Sequence, residues 1–186
     1  PFVVWHNTTR THSFTHLRKK YADMIPEKGF YGAALTELDD TVGALLKELE
    51  DLGVADNTIV VFTSDNGAMK FSWPDGGTSP FHNEKATTWE GGVRVPAMVR
   101  WPGKIPAGKV CGEVCGTIDL LPTLARQAGA QVPSDRVIDG KDIWPLMTGE
   151  AGAKSPHKAF FYYGGNALRA VRSGAWKLHA NVQLYN

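Results

Sequence analysis

The feature that most restricts this chain is a helix pattern running directly into a buried-strand pattern, with polar residues waiting at the strand's end. Leu38, Val42, Leu45, Leu49 and Leu52 recur at alternating spacings of four and three, which lays them along one helix face. Glu37, Asp40, Lys47, Glu48 and Asp51 take the other face, and Gly53 suits the C-terminal stop. After Asn57-Thr58 comes Ile59-Val60-Val61-Phe62-Thr63, the unbroken β-branched and aromatic run of a strand covered on both faces. A helix feeding such a strand is the unit of a layered α/β fold. Ser64-Asp65-Asn66-Gly67 follows at once and falls at the strand's carboxyl end, the edge at which open α/β sheets bind ligands.

Composition removes several function classes. The chain has 186 residues, 42% of them hydrophobic, enough to bury a core. Its 20 Lys and Arg against 19 Asp and Glu leave a net charge of +1, so no global field draws in nucleic acid or an anionic membrane. Cys111 and Cys115 are too few for a disulfide framework and lack partners at zinc-finger spacing. No apolar run approaches the roughly 18 residues of a spanning helix.

The remaining organisation follows from local pattern. Pro1-Phe2-Val3-Val4-Trp5 reads as a buried strand and is followed by a polar, His-rich stretch to Lys20. Because that strand has no lead-in, and residues 182–186 stop inside another apolar stretch, the chain is expected to be an excerpt of a longer protein. Residues 68–92 are rich in Gly, Pro, Ser, Thr and Asn without periodicity, and a loop of that length inside a compact domain is usually functional. Pro96 to Trp101 and Lys109 to Gly116 read as short strands. Asp119 is placed to cap a helix running to Ala128, with Pro122 tolerated in its first turn and Gly129 as its stop. Ala159–Tyr163, Ala167–Arg172 and Trp176–His179 then read as strands joined by Gly-containing turns, an antiparallel subdomain beginning near residue 155.

Three groups of residues have chemical potential. Asp65 and Asn66 present a carboxylate and an amide oxygen at one strand end, a donor pair suited to a hard cation such as Ca²⁺ or Mg²⁺, although Asp-Asn-Gly alone also describes an ordinary turn. Lys85 precedes Trp89-Glu90-Gly91-Gly92-Val93-Arg94, where the paired glycines permit close backbone approach or positive φ and Glu90 and Arg94 are placed to brace one another. Taken by itself, Lys85 has the alternative of being a solvated surface lysine. His12 lies shortly after the first strand, with His16 four residues on; that is helical zinc spacing, but Ser13 stands where metalloproteases carry glutamate. A histidine near a strand end is better suited to protonating or hydrogen-bonding an anionic substrate, and His82 has the same option. No Gly-x-Ser-x-Gly elbow, Walker loop or dinucleotide fingerprint is found. Asn7-Thr8-Thr9 matches a glycosylation acceptor, its place beside a buried strand arguing against occupancy.

In order, Thr58-Ile59-Val60-Val61-Phe62-Thr63-Ser64-Asp65-Asn66-Gly67 and Lys85-Ala86-Thr87-Thr88-Trp89-Glu90-Gly91-Gly92-Val93-Arg94-Val95-Pro96 resemble the sulfatase family of the alkaline-phosphatase-like superfamily, its arylsulfatase-type branch above all. Pro1 through His12, Asp119-Leu120-Leu121-Pro122-Thr123 and Arg172-Ser173-Gly174-Ala175-Trp176-Lys177-Leu178 support the resemblance. It implies an α/β class: the C-terminal portion of an α/β/α sandwich over 1–154, and the start of a small antiparallel C-terminal subdomain over 155–186. It further implies that Asp65 and Asn66 are a later pair of metal ligands, for calcium ahead of magnesium, that Lys85 grips the sulfate group, and that His12 stands beside the substrate's bridging oxygen. Related phosphatases typically show Asp-His-Gly, so Asn66 argues for one hard cation and for sulfate.

One departure bears on activity. The family's nucleophile is a formylglycine made within Cys/Ser-x-Pro-x-Arg, and neither that motif nor an earlier aspartate pair is present; Ser72-Trp73-Pro74-Asp75-Gly76 has glycine where arginine is required. The resemblance therefore implies a calcium-dependent sulfuric ester hydrolase as the parent, with these residues inactive alone. The alternatives are a phosphate mono- or diester hydrolase of the same superfamily, or a non-catalytic module that binds sulfated glycans. A small-molecule or glycan sulfate ester is the expected partner, with neither nucleic acid nor a membrane span, and with oligomerisation through exposed sheet edges. The family implies a periplasmic, secreted or lysosomal location.

Overall fold

The computed structural model of the chain describes residues 2–180 and 183–185. It divides into two compact units, the first of residues 1–58 and 62–97, the second of residues 59–61 and 98–186, the division passing through two short strands. In the first unit, α1 (Lys19–Ala22) leads into α2 (Ile25–Asp51), which is kinked at Gly29, where φ is 71°. Pro26 sits in the first turn of α2, where its missing N–H costs nothing, and Gly53, at φ 68°, ends the segment as its position predicts. The two helices bury Tyr21, Ala33 and Ala34, and the Tyr21 hydroxyl donates to Asp40 at 2.8 Å.

The side of α2 that reads as charged is not uniformly solvated. Glu37 is 1% exposed, whereas Leu45 and Leu52 are exposed at 43% and 64%. A carboxylate is buried in this way when cations satisfy it, and Arg10 and Arg18 both do.

After a 3-10 turn at Ala55–Asn57, β1 (Val60–Thr63) pairs with β2 (Ala97–Arg100) in a two-stranded sheet. All four residues of β1 are half-buried rather than enclosed, since β2 is its one strand neighbour among the described residues. The helix α3 (Glu90–Val93) closes the long loop that separates them. Phe2 to Trp5 form no strand and are exposed, Val3 at 95% and Trp5 at 80%; an apolar β-branched run becomes a strand only where a neighbour completes its ladder, and none does so here among the described residues. Asn7-Thr8-Thr9 accordingly lies in irregular chain, where the Asn7 side chain accepts a hydrogen bond from the Trp5 indole at 2.8 Å.

In the second unit, residues 109–116 are irregular rather than extended in a sheet. They are held by side chains: the Glu113 carboxylate accepts the Ser155 N–H at 2.9 Å and an ion pair from Lys154 at 3.1 Å. A 3-10 turn at Thr117–Asp119 leads into α4 (Leu120–Gln127), with Pro122 buried in its first turn and Gly129, at φ 73°, beyond its end. The short α5 (Trp144–Met147) buries Leu146 beside Ile143. Four strands, β3 (Phe160–Gly164), β4 (Ala167–Ser173), β5 (Trp176–His179) and β6 (Gln183–Tyr185), then form an antiparallel meander in sequence order. Three of them fall where the sequence places strands. The fourth includes part of 182–186, of which 182 and 186 lie outside the described residues. No helix among the described residues is long and apolar enough to cross a membrane.

Candidate functional site

His12, Asp65, Asn66 and Lys85 all lie in the first unit. Asp65 and Asn66 leave the end of β1, and the chain is fixed immediately afterwards by two backbone hydrogen bonds to the loop that carries Lys85. Gly67 N–H donates to the Gly92 carbonyl at 2.9 Å, and Lys85 N–H donates to the Ala68 carbonyl at 2.9 Å. These bonds bring the strand-end oxygen donors and the ammonium-bearing residue into one backbone cluster, although they are about twenty residues apart in sequence.

Glycine is what lets the cluster close. A Cβ on Gly67 would collide with the Gly91 carbonyl, one on Gly91 with the Asn83 carbonyl, and one on Gly92 with the Thr87 carbonyl. Of the two uses the sequence leaves open for the paired glycines, they serve close approach, and neither is at positive φ. Positive φ falls instead on Asn83 at 66° and Ala86 at 71°, flanking Lys85. Ala86 has no side-chain means of easing that conformation, and the surrounding backbone bonds must enforce it.

The rest of the loop is cross-braced. Gly91 N–H donates to the His82 carbonyl at 2.9 Å, and the His82 ring meets Trp89 edge-on at 4.6 Å. The Arg94 guanidinium lies over Phe81 at 4.4 Å, and no ion pair joins it to Glu90 among the described residues. Farther back, Trp73 stacks on Phe30 at 5.3 Å and the Asp75 carboxylate accepts the Tyr31 N–H at 3.2 Å, so α2 anchors the loop's middle.

The polar ends of the cluster are available. Neither the Asp65 carboxylate nor the Lys85 ammonium has a protein partner among the described residues. Asn66 donates through Nδ2 to the Gly67 carbonyl at 2.9 Å, which leaves Oδ1 as an acceptor. Two hard oxygen donors at one strand end fit part of the shell of a calcium-type cation, which takes 6–8 oxygens. They do not complete it, since no group of three or more His, Cys, Asp or Glu gathers into a metal site among the described residues. The zinc reading of His12 and His16 fails on backbone grounds: residues 12–16 are turn and irregular chain, so the spacing of four does not put both rings on one side.

His12 is exposed and stands apart from this cluster in its contacts. Its N–H closes a turn onto the Thr9 carbonyl at 2.9 Å, its ring centroid is 6.3 Å from that of Phe14, and no hydrogen bond or ion pair links it to Asp65, Asn66 or Lys85 among the described residues. What fixes its neighbourhood is Arg10, whose Nη2 lies 2.6 Å from Glu37 Oε1. Sequence reasoning assigned Glu37 to the solvent face and did not single out Arg10; the two arginines at 10 and 18 flanking the histidine were the available signal.

Comparison with known proteins bears on the chain as a whole. The sulfatase family model matches residues 1–130. N-acetylgalactosamine-6-sulfatase of Canis lupus familiaris is 42% identical over 181 residues, covering 96% of this chain and 34% of that protein. Steryl-sulfatase of Rattus norvegicus is 40% identical over 191 residues, covering 100% of this chain and 32% of that protein. The crystal structure of the PsFucS1 sulfatase from Pseudoalteromonas sp. superposes with a TM-score of 0.81 at 33% identity, over 92% of this chain and 34% of that one. The chain thus spans about a third of the length of the relatives it matches, and it has their α/β, alkaline-phosphatase-like fold. On the family match and on relatives aligned across nearly its whole length, this chain belongs to the sulfatase family.

Proposed function

We propose that the protein containing this chain hydrolyses sulfuric esters, with Asp65 and Asn66 helping to hold a calcium ion, Lys85 binding the sulfate group and His12 serving the leaving oxygen. The observation that supports the reading is the backbone clamp of Gly67 to Gly92 and of Ala68 to Lys85, which draws the backbone of Lys85, whose ammonium has no protein partner among the described residues, to the strand end that carries the two oxygen donors. When bound, the calcium ion supplies positive charge to a sulfate oxygen. The Lys85 ammonium adds a second positive charge on the same anion, and loops held by backbone bonds need little rearrangement to receive it. His12 hydrogen-bonds or protonates the oxygen of the departing alcohol, which is the group that accumulates charge as the S–O bond breaks.

The nucleophile, a formylglycine, is assigned to a part of the protein outside these residues, and the 186-residue chain alone is expected to be inactive. The relatives' names specify an amino-sugar sulfate and a steryl sulfate. What these share is a sulfate ester of an alcohol, and that is the substrate class proposed here.

The test is the full-length protein assayed on matched aryl sulfate and aryl phosphate. Hydrolysis of the sulfate is expected to dominate and to be abolished by Asp65→Ala. Faster turnover of the phosphate would move the protein to the phosphoester hydrolases, and undiminished sulfate turnover in Asp65→Ala would remove the metal assignment.

A further inference from the structure

We propose that Glu37 is a positioning residue for His12, acting through Arg10; this deepens, and rests on, the role given to His12 above. Glu37 Oε1 accepts from Arg10 Nη2 at 2.6 Å and from Arg18 Nε at 2.7 Å, while Oε2 accepts the Arg18 N–H at 3.4 Å. One carboxylate on a long helix therefore ties down both ends of the segment that carries the histidine. Between those ends the backbone is turn and irregular chain, and His12 itself has no side-chain hydrogen bond among the described residues. The nearest fixed point is the Arg10–Glu37 pair, two residues away. Arg10 also donates through Nη1 to Thr9 Oγ1 at 2.6 Å, and its carbonyl accepts the Thr8 hydroxyl at 2.9 Å, so the turn that His12 N–H closes onto Thr9 is assembled around the tethered arginine.

Burial makes the tether firm. The Glu37 side chain is 2% exposed and that of Arg10 is 20% exposed, so water competes little for the bond. An exposed imidazole that must meet a leaving oxygen within hydrogen-bond reach loses rate steeply with misplacement, about 100-fold for 1 Å.

The experiment uses the full-length protein and two substrates: a nitrophenyl sulfate, whose oxygen departs without a proton, and a sugar or alkyl sulfate, whose basic oxygen needs one. In Glu37→Gln and Arg10→Gln, kcat/KM for the unactivated ester is expected to fall about tenfold further than for the activated one. A residue that merely keeps the protein folded lowers both equally. His12→Ala is the reference and is expected to show the largest differential, about 100-fold. If His12→Ala shows no differential, the role of His12 falls. If His12→Ala shows it while Glu37→Gln and Arg10→Gln lower both esters equally, the positioning role is overturned and the role of His12 stands. Should Glu37→Gln fail to fold, Arg10→Gln decides alone, because Glu37 then keeps its bonds to Arg18.

Discussion

His157 Nε2 lies 2.7 Å from Asp119 Oδ1, and the Asp119 side chain is fully buried. The same carboxylate accepts the Gly116 N–H at 2.8 Å through Oδ2 and the Lys141 N–H at 2.8 Å through Oδ1. Asp119 thus joins the turn before α4, the segment before α5 and the approach to β3. His157 completes the junction by resting edge-on against Phe160 at 5.4 Å.

Replacing Asp119 by Ala orphans three buried or half-buried donors at once. The full-length protein is expected to lose about 3–5 kcal/mol of stability, since each buried hydrogen-bonding group left without its acceptor costs about 1–3 kcal/mol. Asp119→Asn, which keeps one acceptor oxygen, should lose less. Urea unfolding midpoints at constant slope check this, and equal losses in the two variants would contradict it.

Gly91→Ala tests the clamp on which the functional reading depends. Its new Cβ would collide with the Asn83 backbone, which cannot swing aside as a flexible side chain can. The loop bearing Lys85 is then expected to shift, with sulfate ester kcat/KM falling about 100-fold or more while the far-ultraviolet dichroism of the full-length protein is retained. Gly43→Ala, where a Cβ meets nothing within 4 Å in the middle of α2, is the control and should leave turnover unchanged.

The residues explain which parts of this fold could be read in sequence. Val60 to Thr63, the stops at Gly53 and Gly129 and the close approach at Gly91-Gly92 rest on local chemistry, namely β-branching, positive φ and absence of a side chain. Glu37 was illegible because its burial depends on arginines 27 and 19 positions away, and an isolated glutamate on a helix reads as solvated. Asp119 reads in sequence as the cap of α4, but its side chain makes no cap hydrogen bond to that helix; it bonds instead to Gly116, Lys141 and His157, and the bond to Lys141 spans 22 residues and follows no period. Phe2 to Trp5 and residues 109–116 have strand-like composition without a ladder partner among the described residues; composition reports suitability for a sheet, not the presence of a neighbour. For the candidate site, Asp65, Asn66 and Lys85 share a cluster because the glycines permit it, whereas His12 is held through contacts that no motif contains.

Acid should expose the Glu37 tether directly. Burial opposes ionisation of this carboxyl, but the hydrogen bonds from Arg10 and Arg18 outweigh it and hold the group below the usual glutamate value of 4.5. A lowered folded-state value means that the unfolded chain binds more protons, so the stabilisation is complete above 4.5 and is lost as pH falls through the lowered value. The urea midpoint of the full-length protein is therefore expected to decline below about pH 4.5, with a shallower decline in Glu37→Gln. An identical slope in both proteins would show that this carboxylate does not couple folding to pH.

Asp65 and Lys85 have opposite charges and should fail in opposite ways. Asp65→Asn keeps an oxygen at the strand end but removes a negative charge, and calcium sites set their affinity largely by ligand charge. The calcium concentration for half-maximal sulfate hydrolysis by the full-length protein is expected to rise about tenfold or more, with most of kcat recovered at saturating metal. Lys85→Met removes a positive charge from the anion and leaves the oxygen donors in place. Its calcium requirement should be unchanged while kcat/KM falls about 100- to 1,000-fold, the usual cost of deleting one stabilising donor. Calcium titrations of the two variants side by side decide the matter, since a crossed result, with Lys85→Met shifting the metal requirement and Asp65→Asn leaving it alone, would exchange the assigned roles.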